Sequence, residues 1–213
     1  MKNENQFFPE TAIMANGKFP DHPVPLGYLL NAKRVICCDG AADSIIDFGL
    51  EPFAIVGDCD SVHKKIAEKY QERLFMDNDQ ETNDLTKAVK WCSERMYKNI
   101  VILGATGKRE DHTLGNISLL VEYANFIEVI MVTDAGFFIP LLKSAKIESV
   151  KGQQISVFSI NPDTKITSSG LKYQLDNKML TNWWTATLNE AEGNSFTLDF
   201  DRGPLIVFMK FPG

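Results

Sequence analysis

Residues 54–62 read Ala54-Ile-Val-Gly-Asp-Cys-Asp-Ser-Val62, an apolar run that stops at a glycine and is followed at once by two carboxylates. In an extended chain, side chains two residues apart point the same way, so we expect Asp58 and Asp60 to lie close together at the end of a buried strand. Two like charges there repel unless a cation neutralises them, and carboxylate oxygens suit Mg²⁺ bound to substrate phosphates. A polar turn in which one Asp caps the next helix explains the stretch equally well.

The composition, 44% hydrophobic and 23% charged over 213 residues, is ordinary for a soluble globular protein of one large or two small domains. A formal net charge of -6 argues against broad binding to nucleic acid or to an anionic membrane. The first residues lack the layout of a signal peptide, and no apolar run approaches the length of a membrane span. The four cysteines contain no C-x-x-C pair, so a zinc cluster has little support and we expect a reduced, cytoplasmic protein.

Up to about residue 140 the chain alternates between apolar runs and segments with helical spacing. The predicted strands are 11–15, 34–38, 53–57, 74–76, 100–103 and 128–132, and the predicted helices are 41–48, 62–72, 85–96 and 114–123. The segment 18–26 contains three prolines and is predicted to be a loop. Continuous apolar strands that alternate with helices indicate an α/β/α domain with a parallel sheet, which we assign to residues 1–140.

The pattern changes after about Pro140, where short β-like runs are separated by turn signals such as Asn161-Pro-Asp163 and Glu192-Gly-Asn194. The predicted strands there are 155–160, 165–168, 171–175, 184–188, 196–199 and 205–210. No convincing helix is predicted in this part. The pattern indicates a second, all-β domain of sandwich type over residues 141–213.

Polar residues cluster where the predicted parallel strands end, which is where open α/β sheets bind ligands. Asp39, the pair Asp58 and Asp60, the segment 79–84, and the loop 104–112 each follow a different strand. One such ending would be unremarkable, whereas four on the same edge indicate a site. Asp84 taken alone reads as a first-turn residue that complements the helix dipole, but on this edge it becomes a third candidate metal ligand.

The loop Gly104-Ala-Thr-Gly-Lys-Arg-Glu-Asp-His112 offers backbone N–H groups, two cations and a helix start, which together suit an anion. It is not a Walker A loop, because its glycines are too closely spaced and an arginine follows the lysine. Arg109 and Asp111 also fit a surface ion pair, and His112 also fits a helix residue with no further role.

In the β region the adjacent Trp183 and Trp184 stand out, since on a strand one would face the core and the other would face away. An outward Trp could form an interface or stack on a flat heterocycle. Core packing or a contact between subunits is the commoner role for each taken singly.

Taken in order, these motifs resemble the thiamine pyrophosphokinase family. The resemblance spans about residues 11–210 and rests on Ala15-Asn-Gly-x-Phe-Pro20, Asp39-Gly-Ala-Ala-Asp43, Gly57-Asp-x-Asp-Ser61, Asn83-Asp-Leu-x-Lys-Ala88, Leu103-Gly-Ala-Thr-Gly-Lys-Arg-x-Asp-His112 with Asn116, Ser169-Gly-Leu-Lys-Tyr173, and Asn189-Glu190. No single piece is decisive, but the ordered set is specific.

The resemblance implies an N-terminal α/β domain that binds ATP and a C-terminal β-sandwich that binds thiamine and forms a homodimer. The implied reaction transfers the pyrophosphoryl group of ATP to the hydroxyl of thiamine, giving thiamine diphosphate and AMP. By similarity, Asp58, Asp60 and Asp84 would surround Mg²⁺ and the phosphates. The residues that would border the nucleotide are Asp39, Ser61, Thr106, Gly107, Lys108, Arg109, His112 and Asn116. Those that would border thiamine are Ser168, Ser169, Trp183, Leu188 and Asn189.

The implied mechanism agrees with the residues, because phosphoryl transfer depends mostly on positioning and on neutralising charge. Arg109 or Lys108 would stabilise developing charge, and Asp84 or Asp111 would orient or deprotonate the attacking hydroxyl. Three positions depart from the usual family pattern. They are Asp43, Asn83 and Leu188.

Two other functions remain open. Asp58-Cys-Asp60-Ser-Val62 matches the opening motif of haloacid-dehalogenase-type phosphatases, in which the first Asp is the nucleophile. Two strand–helix units precede the motif, however, and the later motifs of those enzymes are not evident. A catalytically silent nucleotide-binding module is the second alternative, suggested by the altered Asp43 and Asn83.

Overall fold

The computed structural model describes residues 9–58, 60 and 62–212, so the predicted site residue Ser61 lies outside the described residues. The chain divides into two compact units. The first contains the residues up to Leu119 together with Phe126–Asp134, and the second contains Leu120–Asn125 together with Ala135 onward. The predicted functional boundary after residue 140 stays a prediction.

Parallel strands build the sheet of the first unit. They are β1 (Thr11–Met14), β2 (Arg34–Cys38), β3 (Ala54–Gly57), β4 (Leu74–Met76), β5 (Asn99–Leu103) and β6 (Glu128–Val132). Their spatial order is β6-β5-β1-β2-β3-β4, and every adjacent pair runs parallel. β1 and β3 are buried at every residue, as expected for continuous apolar runs in a covered parallel sheet.

The described part of the first unit also contains the α-helices that the alternating pattern requires. They are α1 (Pro23–Asn31), α2 (Ala41–Asp47), α3 (Lys64–Lys69), α4 (Asp84–Glu94) and α5 (Glu110–Tyr123), whose last residues belong to the second unit. A short 3₁₀ helix, Gln71–Arg73, follows α3. Among the described residues, no helix is long and apolar enough to cross a membrane.

Helix α1 begins inside the segment that was expected to be a loop. Pro23 and Pro25 lie in its first turn, where the N–H groups that proline lacks have no intrahelical partner anyway. His22 caps the helix through Nδ1, which accepts a hydrogen bond from the backbone N–H of Val24 at 3.2 Å. The prediction for residues 23–26 is therefore wrong, because prolines at a helix start do not prevent the helix.

Helix α4 ends earlier than its apolar spacing predicts. Its last residue is Glu94, and Met96, expected on the buried face, has a φ of 57° and is 81% exposed. A residue in the left-handed region cannot continue an α-helix, so Met96 lies beyond the amphipathic face. The remaining predicted apolar positions of this helix are all buried, namely Leu85, Ala88, Val89 and Cys92.

Two antiparallel sheets form the second unit. Its strands are β7 (Gly136–Leu141), β8 (Ala145–Glu148), β9 (Gln154–Ser159), β10 (Lys165–Ser169), β11 (Lys178–Met179), β12 (Asn189–Glu190), β13 (Ser195–Phe200) and β14 (Leu205–Lys210). One sheet has the order β12-β9-β14-β7 and the other β11-β10-β13-β8. Ile155 and Val207 of the first sheet share one buried core with Ile166 and Phe196 of the second, as in a β-sandwich. The predicted fold class is confirmed.

Two predicted strands of the second unit, 171–175 and 184–188, are irregular instead. Gly170 and Leu188 both have positive φ angles, 76° and 57°, which interrupt an extended chain at these points. The strands β7 and β8 were not predicted, because Pro140 argues against a strand in the first and only two residues, Ala145 and Ile147, are apolar in the second.

Candidate active site

Most predicted site residues of the first unit follow the carboxyl ends of its parallel strands. Asp39 comes directly after β2, Asp58 directly after β3, and Gly104 directly after β5. Asp84 opens α4, which follows the loop after β4. Because the carboxyl ends of parallel strands share one edge of a sheet, residues remote in sequence meet there.

Three carboxylates form a group at this edge. Asp39, Asp58 and Asp60 each offer an oxygen, and these oxygens lie within 4.8 Å of one another. The backbone N–H of Asp60 donates to Oδ1 of Asp58 at 3.3 Å, so a local turn holds the Asp58 carboxylate against the backbone of Asp60. The sequence spacing suggested the proximity of Asp58 and Asp60, whereas the approach of Asp39 follows only from the pairing of β2 with β3.

Gly57, the last residue of β3, allows two further carboxylates to approach the start of the Asp58–Asp60 turn. A methyl group at position 57 would lie 3.0 Å from Cβ of Asp39 and 3.2 Å from Oδ1 of Asp84. Glycine is therefore the residue that fits between them without displacing either side chain. Asp39 and Asp84 flank the start of the acidic turn from two different elements.

Asp39 has an unusual backbone for a non-glycine residue. Its φ is 37°, and its side chain is buried. Its backbone N–H donates to the carbonyl of Val56 at 3.1 Å, which extends the pairing of β2 and β3 by one residue. Strained backbone of this kind concentrates at functional sites, where the surrounding structure holds it in place.

The loop after β5 carries the predicted cations, and both have partners. Nζ of Lys108 donates to Oδ1 of Asn16 at 3.1 Å. Arg109 binds Asp111 through two hydrogen bonds, Nε to Oδ1 at 3.1 Å and Nη2 to Oδ2 at 2.5 Å. The Arg109 guanidinium, helped by the backbone N–H of His112, lowers the pKa of Asp111 to about 2, and the same pairing raises the pKa of Arg109.

The same loop is hydrogen-bonded to residues 15–18. The backbone N–H groups of Ala15, Gly17 and Lys18 donate to the carbonyls of Leu103, Gly104 and Thr106 at 2.8, 2.6 and 2.8 Å. The parallel pairing of β1 with β5 thus continues into the loops. A side chain at position 17 would come within 2.2 Å of the Gly104 carbonyl oxygen, so only glycine allows this approach.

A pocket of about 170 Å³ lies between α4, α5 and these two loops. Six residues predicted to bind ATP or its phosphates line it, namely Asp84, Thr106, Lys108, Arg109, His112 and Asn116. The residues 15–17, Cys38, Asn83 and Ala105 complete much of the wall. Gly107 lies in the same loop with a φ of 86°, and a Cβ there would meet Cβ of Lys18 at 2.8 Å.

In the second unit, Ser168 and Ser169 are neighbours on β10 and therefore face opposite sides of their sheet. Ser168 is buried, and its Oγ accepts a hydrogen bond from the backbone N–H of Leu175 at 2.8 Å. Ser169 is exposed, and its hydroxyl lies 2.7 Å from the hydroxyl of Thr197. Of these two serines, Ser169 is the one whose side chain lies at the surface.

The other residues predicted to border thiamine also differ in exposure. Trp183 and Trp184 lie in a turn rather than on a strand, with 40% and 74% of their surface exposed. The expectation that one of them faces the core is wrong, although the Trp183 ring packs against Phe158 at 5.8 Å between centroids. Leu188 is 76% exposed.

Asn189 is buried, and its side chain forms hydrogen bonds with the backbone. Its Oδ1 accepts from the N–H of Tyr173 at 3.0 Å, and its Nδ2 donates to the carbonyl of Tyr173 at 2.7 Å. Both ends of the amide are therefore occupied within the second unit. This arrangement fixes the chain around Tyr173 beside the exposed Leu188.

Family models match almost the whole of this arrangement. The model described as "Thiamin pyrophosphokinase, catalytic domain" matches residues 27–131, and the one described as "Thiamin pyrophosphokinase, substrate-binding domain" matches residues 136–208. The chain belongs to the thiamine pyrophosphokinase family. The family predicted from the sequence motifs is thereby confirmed.

Individual relatives agree with this membership. The thiamine pyrophosphokinase of Bacillus subtilis is 29% identical over 206 residues, covering 92% of this chain and 95% of the relative. Thiamine pyrophosphokinase 1 of rice is 29% identical over 203 residues, covering 80% of this chain and 77% of the relative. The crystal structure of the Bacillus subtilis enzyme superimposes with a TM-score of 0.76 at 25% identity, covering 95% of this chain and all of that one (100%).

Membership of the thiamine pyrophosphokinase family makes the chain an ATP-dependent pyrophosphotransferase, which confirms the predicted enzyme class. Nothing in these matches favours the haloacid-dehalogenase-type phosphatase or the silent nucleotide-binding module. The residue-level roles named above stay predictions.

Lys87 is a residue of this edge to which the sequence motifs assigned no role. Its side chain is 3% exposed, and its Nζ lies 3.3 Å from Oδ1 of Asp84, whose side chain is 35% exposed. Removing an ammonium group from water costs several kcal/mol unless a partner compensates it. The sequence could have indicated this burial, because Lys87 lies four residues before Trp91 and therefore on the buried side of α4.

Proposed function

We propose that the sheet edge of the first unit binds ATP and transfers its pyrophosphoryl group to thiamine, giving thiamine diphosphate and AMP. The observation that carries the proposal is the acidic group of Asp39, Asp58 and Asp60 beside a pocket lined by Lys108 and Arg109. Carboxylates for a metal and cations for phosphates are the two requirements of phosphoryl transfer.

Magnesium suits this acidic group. Three carboxylates whose oxygens lie within 4.8 Å supply the hard oxygen ligands that Mg²⁺ prefers. We assign Asp58, Asp60 and Asp39 to the metal, with Asp84 at the edge of the same group across Gly57. When bound, Mg²⁺ would neutralise charge on the phosphates of ATP.

Arg109 and Lys108 supply the positive charge on the opposite side of the pocket. Both side chains are largely exposed and are held by Asp111 and Asn16, so each can exchange its partner for a phosphate oxygen without leaving its loop. The paired Asp111 keeps the guanidinium directed at the start of α5. Side chains that are already positioned would then neutralise the negative charge of the ATP phosphates.

We assign the role of accepting the proton of the attacking thiamine hydroxyl to Asp84 rather than to Asp111. A carboxylate whose pKa is lowered to about 2 is a weak proton acceptor, and both oxygens of Asp111 are engaged. Asp84 is partly exposed, lines the pocket and has Lys87 on one oxygen. It would accept the hydroxyl proton as the new O–P bond forms at the β-phosphorus and AMP departs with the bridging oxygen.

The second unit would bind thiamine through its exposed groups. Ser169, Trp183 and Leu188 offer a hydroxyl, an indole and an apolar side chain at its surface, a set that suits a heterocycle with polar substituents. Ser168 and Asn189 would support these residues from below through their hydrogen bonds to backbone. Exposed apolar side chains such as Trp184 and Tyr173 also suit a homodimer contact.

A reducing, cytoplasmic location agrees with the described cysteines. Cys37, Cys38 and Cys92 are free and buried, and burial raises the pKa of each thiol. No part of the proposal requires nucleic acid or a membrane as a partner.

The decisive experiment incubates the chain with Mg-ATP, with and without thiamine, and measures AMP, inorganic phosphate and thiamine diphosphate. Equal amounts of AMP and thiamine diphosphate, formed only when thiamine is present, are expected. Phosphate release that does not depend on thiamine would instead support the phosphatase. ATP binding with no product at all would support the silent module.

A further inference from the structure

A chain of side-chain amides crosses the wall of the nucleotide pocket. Asn83 is the N-cap of α4, and its Oδ1 accepts a hydrogen bond from the backbone N–H of Thr86 at 2.9 Å. Its Nδ2 donates to Oδ1 of Asn116 at 3.3 Å. Nδ2 of Asn116 donates in turn to the carbonyl of Ala105 at 2.9 Å.

The direction of this chain is determined at both ends by backbone groups. The N–H of Thr86 can only donate, so Asn83 must present its oxygen to Thr86 and its amino group to Asn116. The carbonyl of Ala105 can only accept, so Asn116 must present its amino group to Ala105 and its oxygen to Asn83. The two amides therefore fit together in one orientation only.

The chain joins three separate elements of the first unit. Asn83 precedes α4, Asn116 lies in the second turn of α5, and Ala105 lies in the loop after β5. All three residues line the pocket of about 170 Å³. Asn83 is also bonded covalently to Asp84, so the same chain determines where the first carboxylate of α4 stands relative to the phosphate-binding loop.

We propose that Asn83 and Asn116 form a positioning brace that holds the N-terminus of α4 at a fixed distance from the loop after β5, so that ATP meets a preformed pocket. The brace rests on the proposed function of this pocket. It requires an amide at position 83. An Asp there can cap the helix but carries no hydrogen to donate to Asn116, and the hydroxyl of a Thr lies one bond closer to its own backbone than Nδ2 of Asn83 and so falls short of Asn116. The brace thus gives a role to Asn83, one of the positions at which this chain departs from the usual family pattern.

The test compares Asn83→Thr with the wild type by calorimetric titration with ATP and Mg²⁺ in the absence of thiamine. Asn83→Thr keeps an N-cap, but its shorter side chain cannot reach Oδ1 of Asn116, so we expect ATP to bind about five- to tenfold more weakly. The melting temperature should remain within a few degrees of the wild type. Asn83→Asp is the second variant, because it caps at least as well and lacks the donor altogether.

Asn31→Thr is the matched control. Asn31 also donates a hydrogen bond through its side-chain amide, from Nδ2 to the carbonyl of Gly27 at 2.8 Å, but it lies on α1 and does not line the pocket. We expect its ATP affinity to equal that of the wild type.

Steady-state kinetics should show the KM for ATP raised in Asn83→Thr while the KM for thiamine is unchanged.

The double variant Asn83→Thr/Asn116→Ala measures the coupling. A brace predicts that the double variant binds ATP no more weakly than Asn116→Ala alone, because either change breaks the same chain. Wild-type affinity in both Asn83→Thr and Asn83→Asp, or losses that simply add in the double variant, would overturn the brace. Absence of ATP binding in the wild type would instead sink the proposed nucleotide site.

Discussion

The two units differ in how they arrange their predicted site residues. In the first unit, side chains from four strand ends and two helix starts converge on one acidic group and one pocket. In the second unit, the predicted residues separate. Ser168 and Asn189 are buried and hydrogen-bonded to backbone, whereas Ser169, Trp183 and Leu188 are exposed.

The difference follows from sheet topology. Parallel strands all end at the same edge, so residues that follow them meet whatever their distance in sequence. Antiparallel strands end at alternating edges, and neighbours along one strand face opposite sides of the sheet. The residues that follow the predicted strands are therefore a good guide to a site in the first unit. Residues that are adjacent in sequence are a poor guide to a site in the second.

The largest expected effect comes from the acidic group. Asp58→Asn removes a charge from the three carboxylates while keeping the size of the side chain, so turnover should fall by at least about a hundredfold. The melting temperature should hardly change. Asp47→Asn, at an exposed position near the end of α2, is the control and should keep wild-type turnover. Near-normal turnover in Asp58→Asn would contradict the proposed metal site.

Lys87→Met tests whether the buried ammonium supports Asp84. Methionine fills a similar volume, so the helix should keep its packing, while Asp84 loses the charge 3.3 Å from its Oδ1. We expect kcat to fall by roughly tenfold to a hundredfold, with a smaller change in the KM for ATP. Lys90→Met, at an exposed position of the same helix, should leave kcat unchanged. Equal kcat values in the two variants would show that Lys87 has no part in catalysis.

Ser168→Ala and Ser169→Ala compare the two faces of one strand. Ser168→Ala leaves the partly buried N–H of Leu175 without its side-chain acceptor, so the free energy of unfolding should fall by about 1 kcal/mol. Ser169→Ala should change it by less than about 0.5 kcal/mol. Urea denaturation measures both. If only Ser169→Ala raises the KM for thiamine, the exposed face binds the substrate, and the reverse result would place thiamine elsewhere.

The smallest expected effect concerns two exposed ion pairs. The pKa of Asp111 is lowered first by Arg109, whereas the pKa of Asp201 is lowered first by the backbone N–H of Lys165. Arg109→Ala should therefore raise the pKa of Asp111 from about 2 most of the way to its ordinary value of 3.8. Arg202→Ala should leave the pKa of Asp201 low. Carboxyl NMR titrations of the two variants distinguish these outcomes.

The sign of the resulting pH dependence follows from the lowered pKa. Because Asp111 binds its proton less readily in the folded state, its pairing stabilises the fold above about pH 3.8 and is lost as the pH falls towards 2. Both groups are exposed, so the contribution is small. Loss of stability in Arg109→Ala at neutral pH but not at pH 2 would have this origin.

Sequence patterns could predict the parallel sheet and the meeting of Asp58 with Asp60, because both depend on local spacing and on one rule of topology. They placed Asp39 at the same edge but could not predict how close it comes to Asp58 and Asp60, which needs the register of β2 against β3. Lys87 was overlooked because a lysine on an amphipathic helix is usually solvated. The separation of Ser168 from Ser169, by contrast, was available from strand alternation alone.

Loop conformations were the least predictable part of the site. Asn16-Gly17 is a common turn signal, yet here it extends the hydrogen bonding of β1 with β5. The brace of Asn83 and Asn116 joins residues 33 positions apart and depends on the placement of two helices. No periodicity encodes such a contact, since it arises only when the tertiary structure has formed.

Gly17 has a consequence for how variation in this chain should be interpreted. In a saturation library, position 17 should tolerate no other residue, although its main contact is with the carbonyl oxygen of Gly104. Gly115, in α5, has open space around its Cβ position and should accept alanine readily. Intolerance at a glycine of this loop would thus report the closeness of two backbones rather than contact with a ligand.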